Sequence, residues 1–288
     1  MRPVIMDTDI GTNVDDVLAL LALAGDPAVS LRAVTTVAGD VELRARHALH
    51  VLRLLGRDGV PVHTGVATPY SGRPIWPAPD APGDEAAVRP GAVDALIRIV
   101  RSAPGQVTVV AIGPLTNVAA AVVGDPDWAP SLRQLIVMGG DFSSGRAEHN
   151  IATDPDAART VLESDAPALF VGVDVTTTVP FDETDLAAIA SVRNPLATLV
   201  VQYARLWWNH TGRTSSHPHD ALGVLAMLEP GLFEVASDRW RVQPDGVLRT
   251  DDRAGTVRHA KAVDTARARR VLHRLWRRAL VESSGRTS

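Results

Sequence analysis

The chain has 288 residues, 45% of them apolar, with no cysteine, one lysine (Lys261) and a net charge of −4. That length and apolar content support one large α/β domain over residues 1–288, and the charge argues against a nucleic acid partner. Without cysteine there is no disulfide, no thiolate nucleophile and no cysteine zinc site, so any metal must be held by oxygen or imidazole, and Lys261, in a polar stretch, is badly placed for Schiff-base chemistry.

In chain order, short β-rich runs alternate with helical patterns. Val4-Ile5-Met6 precedes a helix over Val17–Ala24, Leu31–Val37 precedes one over Leu43–Leu55, and Val107–Ile112 precedes one over Val118–Val123. Further strands are expected at Leu135–Met138 and Leu169–Val173, with a helix over Pro155–Leu162 between them. The alternation predicts βαβ units and a mainly parallel, Rossmann-like open sheet flanked by helices. A Pro- and Gly-rich stretch, Pro69–Gly91, reads either as an excursion over a site or as a surface loop. Phe181–Leu228 is mainly helical in pattern, Phe233–Val263 reads as a β-hairpin region, and an arginine-rich helix over Thr265–Trp276 closes the chain with a solvated face. A strand beginning at Val4 leaves no space for a signal peptide, and apolar runs such as Leu18–Ala24 are too short to span a bilayer. A cytoplasmic protein with no membrane partner is expected.

In open parallel sheets ligands bind beyond the carboxyl ends of the strands, which directs attention to the residues following each one. After the first strand come four carboxylates in ten residues, Asp7, Asp9, Asp15 and Asp16. Asp15 and Asp16 suit a helix N-terminus, where the dipole favours negative charge. That does not account for Asp7 and Asp9 at the end of an apolar strand, where an unpaired carboxylate is costly to bury. A hard divalent cation, calcium or magnesium, would compensate the cluster. A second polar group, Ser216-His217-Pro218-His219-Asp220, runs straight into an apolar helix, and by itself reads as a helix cap as readily as a site. A third, Glu148-His149-Asn150, follows Met138-Gly139-Gly140 and offers groups suited to sugar hydroxyls.

With these segments in hand the chain resembles the inosine-uridine-preferring nucleoside hydrolases. Asp7-Thr8-Asp9-Ile10-Gly11 with Asp15-Asp16, Val34–Gly39, Gly113-Pro114-Leu115-Thr116-Asn117, Val137–Gly140, Glu148–Ile151 and His219–Leu222 follow the family's order at similar spacing, over almost the whole chain. The resemblance implies calcium-dependent hydrolysis of a ribonucleoside to ribose and free base, by a homo-oligomer (dimer or tetramer). It implies a calcium ion held by Asp9, Asp16, Asp220 and the backbone carbonyl of Thr116, with Asp7 supporting them. Asp9 would also act as general base on metal-bound water, and Asp15, Glu148 and Asn150 would hold the ribose. His219 would assist the departing base. The transition state would be oxocarbenium-like, as in glycoside hydrolysis.

The sequence departs from the family's pattern in several places. The opening loop is longer, with Thr12-Asn13-Val14 before the aspartate pair. Asp40 stands where Asn is usual, next to the expected sugar or base. Pro82-Gly83-Asp84-Glu85 replaces a His-Gly segment, and His149 a common phenylalanine. Trp207 and Trp208 read either as stacking surfaces for a base or as core. Two other functions fit parts of the pattern. One is a non-catalytic ribose or nucleoside binder of the same fold. The other is a haloacid dehalogenase-like phosphohydrolase, which also carries Asp-x-Asp after its first strand but expects a threonine where Gly11 stands and a downstream lysine.

Overall fold

The computed structural model describes residues 1–71 and 88–284. The strands are β1 (Arg2–Thr8), β2 (Val29–Thr36), β3 (Val62–Thr64), β4 (Arg89–Pro90), β5 (Thr108–Ala111), β6 (Gln134–Met138), β7 (Ala168–Val171), β8 (Phe233–Val242), β9 (Leu248–Thr250) and β10 (Thr256–Val263). They form one sheet in the order β4-β3-β2-β1-β5-β6-β7-β10-β8-β9. From β4 to β7 every pairing is parallel, and β10 continues the parallel order beside β7. The β8 strand pairs antiparallel with both β10 and β9, which is the hairpin region expected from the sequence.

Strands covered on both faces need apolar side chains on both, and the central strands have them. Val4 and Met6 of β1 enter one apolar cluster while Ile5 enters the other. Val110 and then Val109 divide in the same way along β5, as do Ile136 and Leu135 along β6. The first cluster packs under α1 (Asp15–Gly25), α2 (Val41–Leu54) and, further along the chain, α8 (Glu183–Ala190), α9 (Pro195–Thr211), α10 (His219–Leu228) and α11 (Thr265–Ser284). The second packs under α3 (Ala92–Arg101), α4 (Thr116–Gly124) and α6 (Pro155–Leu162), with the short α5 (His149–Thr153) at a strand end, while the short α7 (Val173–Thr176) joins the first cluster. Among the described residues no helix is long and apolar enough to cross a membrane.

Three differences from the sequence expectation have physical causes. The closing helix continues to Ser284 because Ala268, Leu272, Trp276 and Ala279 with Leu280 keep a helical apolar stripe buried past Trp276. The seventh strand stops at Val171, since the Val173 amide turns to donate to the Gly140 carbonyl at 2.8 Å. Short β3 and β4 hold too few residues for any period to show, and α3 starts directly after Gly91, whose φ of 84° only glycine adopts readily. The proposed excursion over the site and the Pro82–Glu85 segment lie outside the described residues, although the start of that stretch is fastened: the amides of Tyr70 and Ser71 donate to Asp154, at 2.9 and 3.3 Å.

Helix α1, which carries Asp15 and Asp16, is clamped by α11. The Trp276 indole donates to the Leu18 carbonyl at 2.9 Å, and a Cβ on Gly25 would stand 2.1 Å from the Leu275 carbonyl oxygen. Gly25→Ala is therefore expected to force the helices apart and lower stability by about 1–3 kcal/mol, read as a fall in the urea midpoint.

Candidate active site

A cavity of about 250 Å³ opens at the carboxyl ends of the parallel strands. Asp9, Asp15 and Asp16 reach it from the β1–α1 loop, Ile112 and Met138 from the ends of β5 and β6, Glu148 and Asn150 from α5, and His219 and Asp220 from the start of α10. Seven of the site residues named from the sequence, counting the two on α10, therefore converge from segments more than 200 positions apart.

Asp15, Asp16 and Asp220 are buried, and one carboxylate oxygen from each lies within 4.8 Å of the other two. Burial first, and then the neighbouring carboxylates, push these groups above the usual carboxylate range: Asp15 to about 7, Asp16 and Asp220 well above their ordinary value. Two oxygens on one calcium ion stand at most about 5 Å apart, given Ca–O distances of about 2.5 Å. The triad fits one such cation, and the all-oxygen donor set suits a hard ion.

The acidic loop is held from below by Arg44 of α2, a buried side chain that sequence reading passed over. Its guanidinium donates to the carbonyls of Asp9 and Ile10, and its Nε donates to the Ala38 carbonyl at 2.7 Å. Ala38 adopts a φ of 65°, in the left-handed region that L residues avoid. The Arg44 charge also favours the ionised form of Asp16, which accepts a hydrogen bond from the Thr8 hydroxyl. Nothing in the helical pattern of α2 distinguishes Arg44 from its solvated neighbours.

Asp7 lies behind the cavity. It is fully buried, its Oδ1 accepts from Thr35 at 2.5 Å and from Asn117 at 2.8 Å, and its Oδ2 has no hydrogen-bond partner among the described residues. Burial raises its pKa to about 7, with Asp9 adding to the shift and the two hydrogen bonds opposing it.

Glu148 caps α5. Its carboxylate accepts from the amides of Asn150 (2.9 Å), Ile151 (3.1 Å) and Gly140 (3.0 Å), which holds it rigidly at the cavity wall. Asn150 spends its amide hydrogens on the carbonyls of Ile112 (3.0 Å) and Met138 (3.1 Å), leaving Oδ1 for a ligand hydroxyl. His219 lies with Nδ1 2.6 Å from the Thr176 hydroxyl, and burial, followed by His217 and Arg213, depresses its pKa to about 3.

Two named residues lie away from the cavity. Thr116 is buried at the start of α4, its hydroxyl donating to Asp154 at 2.6 Å, and the residue nearby in the chain that lines the cavity is Ile112. Asp40 is an exposed cap of α2, accepting from the Leu43 amide at 2.9 Å. The adjacent tryptophans divide: Trp208 is core, packed near Phe181 with its indole donating to Ser216 at 3.1 Å, while Trp207 lines the cavity with His149, Arg213 and His217.

Comparisons with known proteins identify the family and the fold. The family model described as inosine-uridine preferring nucleoside hydrolase matches residues 4–272. A probable uridine nucleosidase 2 of Arabidopsis thaliana is 29% identical over 276 residues, covering 86% of this chain and 84% of the relative. The pyrimidine-specific ribonucleoside hydrolase RihA of an Enterobacter species is 30% identical over 261 residues, covering 83% and 82%. The solved structure of a purine-preferring ribonucleoside hydrolase from Gardnerella vaginalis superposes with a TM-score of 0.84 at 25% identity, covering 97% of this chain and 100% of that one. The chain belongs to the inosine-uridine preferring nucleoside hydrolase family and is a nucleoside N-ribohydrolase.

Two predictions follow from the packing behind the cavity. A Cβ on Gly113 would stand 3.0 Å from both the amide nitrogen and Oδ1 of Asp9, so Gly113→Ala is expected to displace that carboxylate and cut kcat by about 100-fold with calcium present, measured by ribose release. Asp7 stays protonated up to about pH 7 in the folded chain but only to pH 3.8 in its ordinary state, so folding takes up a proton and stability falls as pH rises through that window, levelling above it. In chelated protein, Asp7→Asn should remove up to about 1.4 kcal/mol per pH unit of that fall, read from urea midpoints across the window.

Proposed function

We propose that residues 1–288 act as one calcium-dependent ribonucleoside hydrolase domain, splitting the N-glycosidic bond into ribose and free base. The observation that carries the reading is the buried triad of Asp15, Asp16 and Asp220, three carboxylates in one small volume with Asp9 beside them on the cavity wall. The sequence resemblance assigns the ion to Asp9, Asp16, Asp220 and the Thr116 carbonyl; in this reading Asp16 and Asp220 hold it together with Asp15, a choice supported by the closeness of the three carboxylates. A bound calcium ion would neutralise the triad and make water at that position easier to deprotonate.

The remaining steps fall to this chain's own side chains. Asp9 takes the proton as the water oxygen attacks the anomeric carbon. The glycosidic electron pair leaves with the base. Asn150 accepts from a ribose hydroxyl through Oδ1, and Glu148, fixed by its three amides, accepts from another. The developing positive charge on the sugar is favoured by the surrounding carboxylates, which are already oriented before the reaction begins. His219 is an imidazole held neutral, so its help to the departing base is a hydrogen bond donated from Nε2 while Nδ1 accepts from Thr176. The Asp9 carboxylate, on the cavity wall and without a hydrogen bond or ion pair among the described residues, favours turnover over the binding-protein reading.

Release of reducing ribose from a panel of purine and pyrimidine nucleosides, with calcium and after chelation, tests the proposal. Calcium-dependent release that falls by about 100- to 10,000-fold in Asp9→Ala is expected, and the panel names the base. A folded protein that binds calcium yet releases ribose from no nucleoside would overturn it in favour of a non-catalytic binder.

A further inference from the structure

A second cavity, of about 410 Å³, shares no lining residue with the catalytic one. It lies at the β4 edge of the sheet, where Arg32 of β2, His63 of β3, Arg89 of β4 and Arg98 of α3 line it, and no carboxylate among the described residues does. Elsewhere the exposed arginines are commonly paired, as Arg101 is with Asp125, Arg159 with Asp156 and Arg205 with Glu183. The three arginines at this cavity make no ion pair among the described residues. Arg89 stands directly across from His63 in the β3–β4 pairing, so the two side chains share a face of the sheet.

His63 supplies an independent observation. It is only 6% exposed, and its Nδ1 lies 3.2 Å from the Pro90 carbonyl, a contact that requires Nδ1 to carry the hydrogen. Its Nε2 is buried without a hydrogen-bond partner among the described residues. Burial, and then the nearby Arg89 and Arg98, lower the pKa of this imidazole. Converging like charges are unfavourable, and a multiply charged oxyanion in the cavity relieves them; its charge also favours the protonated imidazole, whose Nε2–H then donates to an oxyanion oxygen. Planar guanidinium groups match phosphate oxygens in pairs of parallel hydrogen bonds.

We propose that this cavity binds a phosphate-class oxyanion, gripped by the guanidinium groups of Arg32, Arg89 and Arg98 above His63. The site is separate from the ribose-cleaving machinery and does not depend on its chemistry. Free phosphate and the phosphate of a monoester present the same oxygens, and the arms of the test separate them.

Isothermal titration of the calcium-loaded protein with inorganic phosphate, and in parallel with methyl phosphate, is run against sodium chloride of equal ionic strength. Binding with a dissociation constant of about 1 mM or tighter is expected for at least one of the two, and the tighter one identifies the source. The double variant Arg89→Gln, Arg98→Gln is expected to weaken that binding by about 100-fold or more, since each arginine contributes charge-assisted hydrogen bonds. An unchanged thermal unfolding midpoint shows that the variant is folded, and Arg32→Gln alone serves as a second variant, with a smaller loss. No binding beyond the chloride control, or binding that both variants retain, overturns the proposal. So does arginine-dependent binding seen only with polyglutamate or an oligonucleotide, which would make the face a macromolecular surface.

Discussion

Carboxylates gathered into one buried volume lose their hydration and repel one another, and much of the structure around residues 7–16 and 220 holds them there against both effects. Asp15, Asp16 and Asp220 are pushed toward their neutral forms by burial and by each other. A divalent cation would reverse that tendency, because it could interact with all three at once, which no single hydrogen bond does. Arg44 contributes from the other side: it binds the loop carbonyls and lends Asp16 a compensating charge without entering the cavity.

The sheet makes this concentration possible. Parallel strands end on the same edge, so β1, β5 and β6 deliver their terminal residues side by side, and α10 brings Asp220 in over that edge. Glycine is required where backbones and carboxylates approach closest. Gly113 leaves the space that Asp9 occupies, and Gly25 lets α1 lie against α11 so that the aspartate pair at its start has a fixed position. Glu148 and Asn150 are oriented in turn by backbone groups of Gly140, Ile112 and Met138, so this wall of the cavity is fastened to the strand ends. Pre-set groups of this kind need no reorganisation as charge develops on the substrate.

The same chain treats two basic clusters in opposite ways. Arg269 and His273 of α11 share the buried Asp185, a satisfied network that joins α8 to the closing helix. Arg32, Arg89 and Arg98 instead line a cavity at the β4 edge with His63, whose Nε2 has no hydrogen-bond partner among the described residues. Charge that is paired within the fold serves stability, whereas charge left unpaired around a cavity is available to a ligand. This is why the second cluster, and not the first, carries a binding proposal.

By itself the sequence determined the alternation of strands and helices, the parallel sheet and the membership of most of the site, because strand period, helix period and acidic strand ends are local properties that survive in one dimension. Asp9, Asp15, Asp16, Glu148, Asn150, His219 and Asp220 were legible in this way, each beside a strand end or at a helix start. Only the tertiary structure decided which of those carboxylates form the tight triad, since Asp15 and Asp9 are equivalent as letters and differ only in which way the loop turns them. It also separated Trp207 from Trp208, moved Thr116 and Asp40 off the cavity, and revealed Arg44 and the His63 cluster. Those outcomes depend on contacts between residues distant in the chain, for which no local pattern exists, so packing alone could settle them.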